Sequence, residues 1–185
     1  MRRSKRRLLA AGPRAEPRPK AERKPKRQPA ADRPSAVHGT ALSIRAAQAS
    51  QFDAVVAMLA CAGLPTRDLT PASIDTFLVA AVAGELAGAV ALERYGDVGL
   101  LRSLVVAPDR RKDGIGAALV DAVERQARRD GLSSLVLLTE TAREFFLRMG
   151  YGVAARNEAP EAVQQSSEFA FVCPAGATYM VKALR

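Results

Sequence analysis

From residue 41 onward the chain switches between two hydrophobic periods. Ala41-Leu42-Ser43-Ile44-Arg45 predicts a short strand, and residues from about Gln51 to Ala62 predict a helix, with Ser50 and Asp53 placed as its N-cap pair. Gly63, Pro65 and Pro71 mark a loop. The apolar runs Phe77 to Val82 and Leu86 to Glu93 flank Gly84 and predict a hairpin, with Val98 to Val106 as a third, longer strand. From Gly114 the period becomes helical: Ile115, Leu119, Val123 and Ala127 share one face, and the pairs Asp121–Arg125 and Glu124–Arg128 are expected on the solvent side. Gly131 closes that helix. A buried strand at Leu135 to Leu138 follows, then a short helix to Met149 whose capping box is Thr141 with Glu144, and a last strand over Tyr179 to Leu184. A strand–helix–strand crossover demands a parallel pair. The expected fold class is therefore α/β, an antiparallel meander joined to a parallel strand in one mixed central sheet flanked by helices.

Charge divides the chain in two. Of 28 Lys and Arg residues, 13 fall in residues 1–36 against 3 acids, which leaves 15 basic and 16 acidic residues for the remainder. The net +9 is thus a property of the N-terminal end. That end also holds six of the eleven prolines and only one short apolar cluster, Leu8 to Ala11, too little to offset the entropy of ordering it. Residues 1–40 are expected to be a disordered basic tail, and residues 41–185 one folded domain. The tail has no aromatic residue for base stacking, so nucleic-acid binding is not expected of it. Nor does it show the pattern of a secretory signal or transit peptide. The two cysteines, Cys61 and Cys173, are far apart and His38 is the sole histidine, so neither a disulfide framework nor a metal site is implied. The longest apolar region, Phe77 to Leu92, is broken by Gly84, Glu85 and Gly88, which argues against a membrane span. A cytoplasmic location is expected.

The strongest local chemical signal is Arg111-Lys112-Asp113-Gly114-Ile115-Gly116-Ala117, set where a strand ending at Val106 turns into a helix. Glycines there let backbone N–H groups approach an anion, and the helix N-terminus adds about half a positive charge. This Arg-x-x-Gly-x-Gly turn, with the strand before it and Phe145-Phe146-Leu147-Arg148-Met149-Gly150-Tyr151 after it, resembles the acetyl-CoA motif of GNAT acetyltransferases. The resemblance runs from about Leu42 to Leu184. It implies acetyl-CoA as co-substrate and no metal. The amides of Arg111, Lys112, Asp113, Gly114, Ile115, Gly116 and Ala117 would hold the pyrophosphate, the backbone of Leu104, Val105 and Val106 the pantetheine, and an edge of Phe146 would line the slot. Asp113 departs from the pattern by bringing a carboxylate near a pyrophosphate.

Leu100-Leu101-Arg102-Ser103-Leu104 and Leu137-Leu138-Thr139-Glu140-Thr141-Ala142 are similar to the catalytic domain of N-acetylglutamate synthases. Together with Tyr95 to Leu100, Glu168-Phe169 and Cys173-Pro174-Ala175 they resemble the arsenic-operon, ArsN-type acetyltransferases. These resemblances imply a small acidic amino acid or analogue as the amine acceptor, a link to arsenic resistance, and a homodimer. Acyl-CoA sensing without turnover, and acetylation of proteins or polyamines, are the alternatives.

Arg102 is the expected acceptor-binding side chain, because its guanidinium fork suits an oxyanion, the competing reading being a strand arginine in an ion pair. Ser103, Thr139 and Cys173 join it as expected acceptor contacts. Attack on a thioester needs a neutral amine, and Glu93 and Glu140 are the candidate bases. Arg102 stands where many GNAT enzymes carry a glutamate base, and Phe146 where many carry a tyrosine acid.

Overall fold

The computed structural model describes residues 41–184, so the tail expected over 1–40 lies outside the described residues. Strand β1 (Leu42–Ala46) and helix α1 (Phe52–Cys61) precede the meander β2 (Phe77–Val82), β3 (Glu85–Tyr95) and β4 (Val98–Val106). Helix α2 (Ile115–Arg129) leads to β5 (Ser134–Thr139), α3 (Arg143–Arg148), β6 (Gly152–Val153), α4 (Glu161–Gln164) and β7 (Thr178–Ala183). The strands form one sheet in the order β1-β2-β3-β4-β5-β7-β6. Only β4 and β5 run parallel, joined through α2, and the other neighbours are antiparallel.

Successive strand residues feed opposite faces of this sheet. On one face Val90 and Leu101 pack with Leu119, Val120 and Val123 of α2. On the other, Ala89, Ala91 and Val105 pack with Val55 and Leu59 of α1. Leu100 and Val136 meet Val163, Phe169 and Tyr179 in a further cluster. Coverage on both faces is why these strands read as almost continuous apolar runs.

Three local expectations are corrected. Glu124 is buried at 4% exposure rather than solvent-facing, with its carboxylate 2.6 Å from Lys182 Nζ and 3.4 Å from Arg128. Lys182 arrives on β7, a distant strand that no helical repeat reports. The start of α3 takes its hydrogen bond from Thr139 Oγ1, which accepts the Ala142 N–H at 3.0 Å, in place of the Thr141–Glu144 box. Ahead of α1, a turn of 3₁₀ helix at Ala49–Gln51 is closed by Gln51 Oε1 accepting the Gln48 N–H at 3.0 Å, so Ser50 lies inside the turn and not at a cap.

Two irregularities shape the centre of the sheet. The β4–β5 ladder pairs Val98 with Ser134, Gly99 with Leu135 and Leu100 with Val136, and then stops. Beyond that point the strands splay. On the other side of β4, Ala91 pairs with Arg102 but Ala89 with Val105, so β4 carries one extra residue. Ser103, within this bulge, adopts φ +56°, a left-handed conformation that costs a serine on the order of 1 kcal/mol and is typical of functional backbone.

Candidate active site

The splay opens into a cavity of about 370 Å³. Its walls are Leu101 to Leu104 of β4, Leu137 to Ala142 from β5 into α3, Phe146, the loop Ala62 to Pro65 after α1, and Glu168 with Val172 to Pro174. Four expected acceptor-side residues, Arg102, Ser103, Thr139 and Cys173, therefore meet in one space, as do Leu104, Phe146 and Glu140. Glu93 is not part of the wall.

Backbone direction along β4 follows from one hydrogen bond. Ala107 N–H donates to Ala87 O at 2.9 Å, so alternation turns the polar groups of Val105 toward β3 and those of Leu104 and Val106 toward the splay. An extended amide-bearing chain lying in the splay would meet Leu104 and Val106; Val105, expected to share that role, has its backbone committed to the sheet.

The Arg111–Ala117 turn lies beside the same strand end, outside the cavity wall. Lys112 (φ +77°) and Gly114 (φ +79°) are both left-handed, which folds the backbone into a concave turn at the N-terminus of α2. The first N–H groups of a helix have no acceptor within it, and such turns present them to anions. A Cβ built on Gly116 would lie 3.6 Å from Val106 Cγ2 and 3.7 Å from Phe145 Cζ, so the helix start, the end of β4 and α3 are in contact. Arg111, Lys112, Asp113 and Gly114 are exposed, Gly116 and Ala117 are partly so, and Ile115 is buried as a core side chain. The turn and the splay together suit a ligand with an anionic end and an extended amide arm.

Arg102 differs most from expectation. Its side chain is 2% exposed, with Nη1 2.7 Å from Asp68 Oδ2 and 3.0 Å from Glu93 Oε1, and Nη2 3.0 Å from Glu168 Oε2. The fork expected to face an acceptor oxyanion is engaged by three carboxylates of the chain itself, the ion-pair alternative in buried form. Asp68 comes from the loop after α1, and Glu168 opens a π-helical turn, Glu168–Val172. Ser167 Oγ donates to Asp68 Oδ2 at 2.7 Å, and Arg67 donates to the Phe171 carbonyl, so two loops are fastened to each other above Arg102.

Electrostatics separate the three acids. Burial pushes Asp68 up, but hydrogen bonds from Arg102 and Ser167 outweigh it and hold the carboxyl below its ordinary value. Burial dominates at Glu168, whose carboxyl is raised despite the pull of Arg102. Glu93 is tied at both oxygens, Oε1 to Arg102 and Oε2 to the Tyr95 hydroxyl, which donates at 2.9 Å. Burial and Glu93 push that phenol up to about 12. Burial and then Glu168 push the Cys173 thiol up to about 12, so Cys173 is a neutral thiol at physiological pH and a weak nucleophile or soft ligand. Thr139 Oγ1 already accepts the Ala142 N–H, and Glu140 is exposed at the cavity rim. Sequence reasoning overlooked Asp68 altogether, and Glu168 as an acid; the Glu168-Phe169 and Cys173-Pro174 pairs were the signal available for the latter.

A mixed sheet splayed at a bulged central strand, with a left-handed turn at the start of the following helix, is the arrangement of the GNAT fold. Residues 73–153 match the family model of the acetyltransferase (GNAT) domain. The chain is similar to an amino-acid acetyltransferase of Ralstonia nicotianae, 36% identical over 97 residues. Those residues are 51% of this chain but 22% of the relative. It also resembles the solved N-acetylglutamate synthase of Neisseria gonorrhoeae in complex with coenzyme A and L-arginine, at 25% identity and a TM-score of 0.69. That match covers 78% of this chain and 33% of the synthase. A third similar structure, Rv2747 of Mycobacterium tuberculosis in complex with CoA, has 25% identity and a TM-score of 0.67 over 77% of this chain and 99% of its own. The chain thus spans about a fifth of the curated relative and a third of the synthase. Among the described residues no cluster of metal-ligating side chains occurs, and no helix is long and apolar enough to cross a membrane.

Proposed function

We propose that this chain transfers the acetyl group of acetyl-CoA to the amine of a small amino acid or amino-acid analogue, acidic ones included. The observation that carries the reading is the cavity itself: it opens beside Leu104 where β4 and β5 part, near the Arg111–Ala117 turn, and its wall bears the carboxylates of Glu168 and Glu140. The turn from Arg111 to Ala117 would take the pyrophosphate and the splay the pantetheine arm, delivering the thioester to the wall formed by Glu168, Cys173 and Glu140. An acceptor amine bound there attacks the thioester carbonyl directly, and positioning supplies most of the acceleration. The names of the relatives support an amino-acid acceptor, and the sequence resemblance to arsenic-operon acetyltransferases extends the proposal to arsenic-containing analogues.

A second reading has its own support. Three carboxylates around one guanidinium leave the acceptor end net negative, which attracts an ammonium group and favours cationic acceptors such as polyamines. For an acidic acceptor, Arg102 has to exchange one of its internal carboxylates for that of the substrate. One assay separates the two: thiol release from acetyl-CoA with glutamate, its phosphinic and arsinic analogues, neutral amino acids, polyamines and peptides. Turnover confined to amino acids and their analogues is expected; turnover confined to polyamines or peptides overturns the amino-acid assignment.

A further inference from the structure

We propose that Glu168 is the proton acceptor for the substrate amine, held in the cavity wall by the Arg102 guanidinium; this rests on the acetyl-transfer reading above.

Geometry discriminates among the acids. Glu93 lies outside the cavity wall and both its oxygens are engaged, by Arg102 and by Tyr95. Asp68 is likewise outside the wall, is 7% exposed at its side chain, and is held ionised by Arg102 and Ser167, which makes it a poor base. Glu140 lies in the wall but is exposed to solvent. Glu168 alone among these four acids both lines the cavity and is buried, with an 11% exposed side chain anchored at 3.0 Å by Arg102 Nη2. It sits at the start of a π-helical turn, a distortion that recurs at functional sites because it re-aims a side chain from regular backbone.

The groups that face Glu168 set its proton affinity. Burial raises it most, Arg102 and the Cys173 thiol lower it, and Asp68 and Glu93 raise it again, leaving it above the ordinary glutamate value. A carboxylate whose proton affinity is raised in this way is a stronger base toward an incoming ammonium. The acceptor ammonium gives one proton to Glu168. The freed nitrogen lone pair forms the C–N bond, the C–S bond breaks with its electron pair going to sulfur, and the second nitrogen proton ends on the coenzyme A thiol. Glu168 then releases its proton to solvent.

The test is the pH profile of kcat/KM for full-length wild type, Glu168→Gln and Glu140→Gln, measured by thiol release with whichever acceptor the panel identifies. With Glu168→Gln, kcat/KM at neutral pH is expected to fall about a hundredfold or more, the scale of general-base catalysis. The acid limb of the wild type should vanish, and the residual rate should climb tenfold per pH unit until the amine deprotonates by itself. KM for acetyl-CoA should be unchanged. Should Glu168→Gln fold poorly, Glu168→Ala with added formate provides the second readout, partial rescue being expected. Unchanged activity and profile in the glutamine variant, or a larger loss in Glu140→Gln, overturns the assignment while leaving the acetyl-transfer reading intact. A wild type that binds acetyl-CoA yet acetylates nothing overturns both.

Discussion

Replacing Arg102 by methionine is the most informative single change to stability. The substitution keeps much of the stem volume and removes the charge, leaving Asp68, Glu93 and Glu168 close together without a cation. Breaking a buried ion pair by removing one partner costs about 3 to 5 kcal/mol, because the remaining charge stays buried. Three acids share this cation, one of them only 7% exposed, so the upper half of that range applies. For a domain of roughly 150 residues, each kcal/mol shifts Tm by about 2 to 4 °C, which gives a fall of about 8 to 20 °C. The sign of the pH dependence follows from linkage. In the wild type Asp68 is held below its ordinary value by Arg102, so it adds stability above its unfolded pKa of about 3.9 and loses it as pH falls through the folded value. Without Arg102 the Asp68 carboxyl loses the partner that holds it down and the Glu168 carboxyl rises further, and a raised carboxyl destabilises at neutral pH and is relieved by protonation. The Tm gap between the two proteins should therefore narrow as pH drops from 7 toward 5. Differential scanning fluorimetry across that range measures it. A Tm loss under about 3 °C, or a gap that does not change with pH, would refute the view of Arg102 as an electrostatic hub.

Further outcomes follow from single sites. Gly114→Val forces φ +79° on a β-branched residue, at about 1 to 2 kcal/mol, and should raise KM for acetyl-CoA more than it lowers kcat. Gly99→Val would put a Cβ 2.6 Å from Leu135 Cδ2 and 2.8 Å from Leu92 Cδ1, and overpacking of this kind costs about 1 to 3 kcal/mol, visible as a lower Tm. Lys182→Met strips Glu124 of its closest partner; with Lys182 21% exposed and Arg128 still present, about 2 kcal/mol is expected by chemical denaturation, below the fully buried range.

How much of this was legible in sequence depended on the range of the interaction. The meander, the crossover helix and the parallel strand all follow from local hydrophobic period, and the structure has them where the period put them. The glycine turn ahead of α2 was legible for the same reason, since its backbone geometry is set within a few consecutive residues. Arg102 drew attention because its guanidinium fork suits an oxyanion, but its partners arrive from three other segments, and no local pattern reports that Asp68 and Glu168 converge on it. The bulge at Ser103 left no signature, because a left-handed serine is chosen by the tertiary fold against its own preference. Glu124 was misread because a buried acid on a helix looks like a surface acid until its partner on β7 is known.

The most direct test of the central claim is calorimetric titration of acetyl-CoA into the full-length chain, with Gly114→Val as comparison. Saturable binding at one site per chain is expected, in the micromolar to millimolar range usual for enzyme substrates, with weaker binding in the variant. Wild-type protein that is folded by thermal melt yet gives no saturable heat would contradict it.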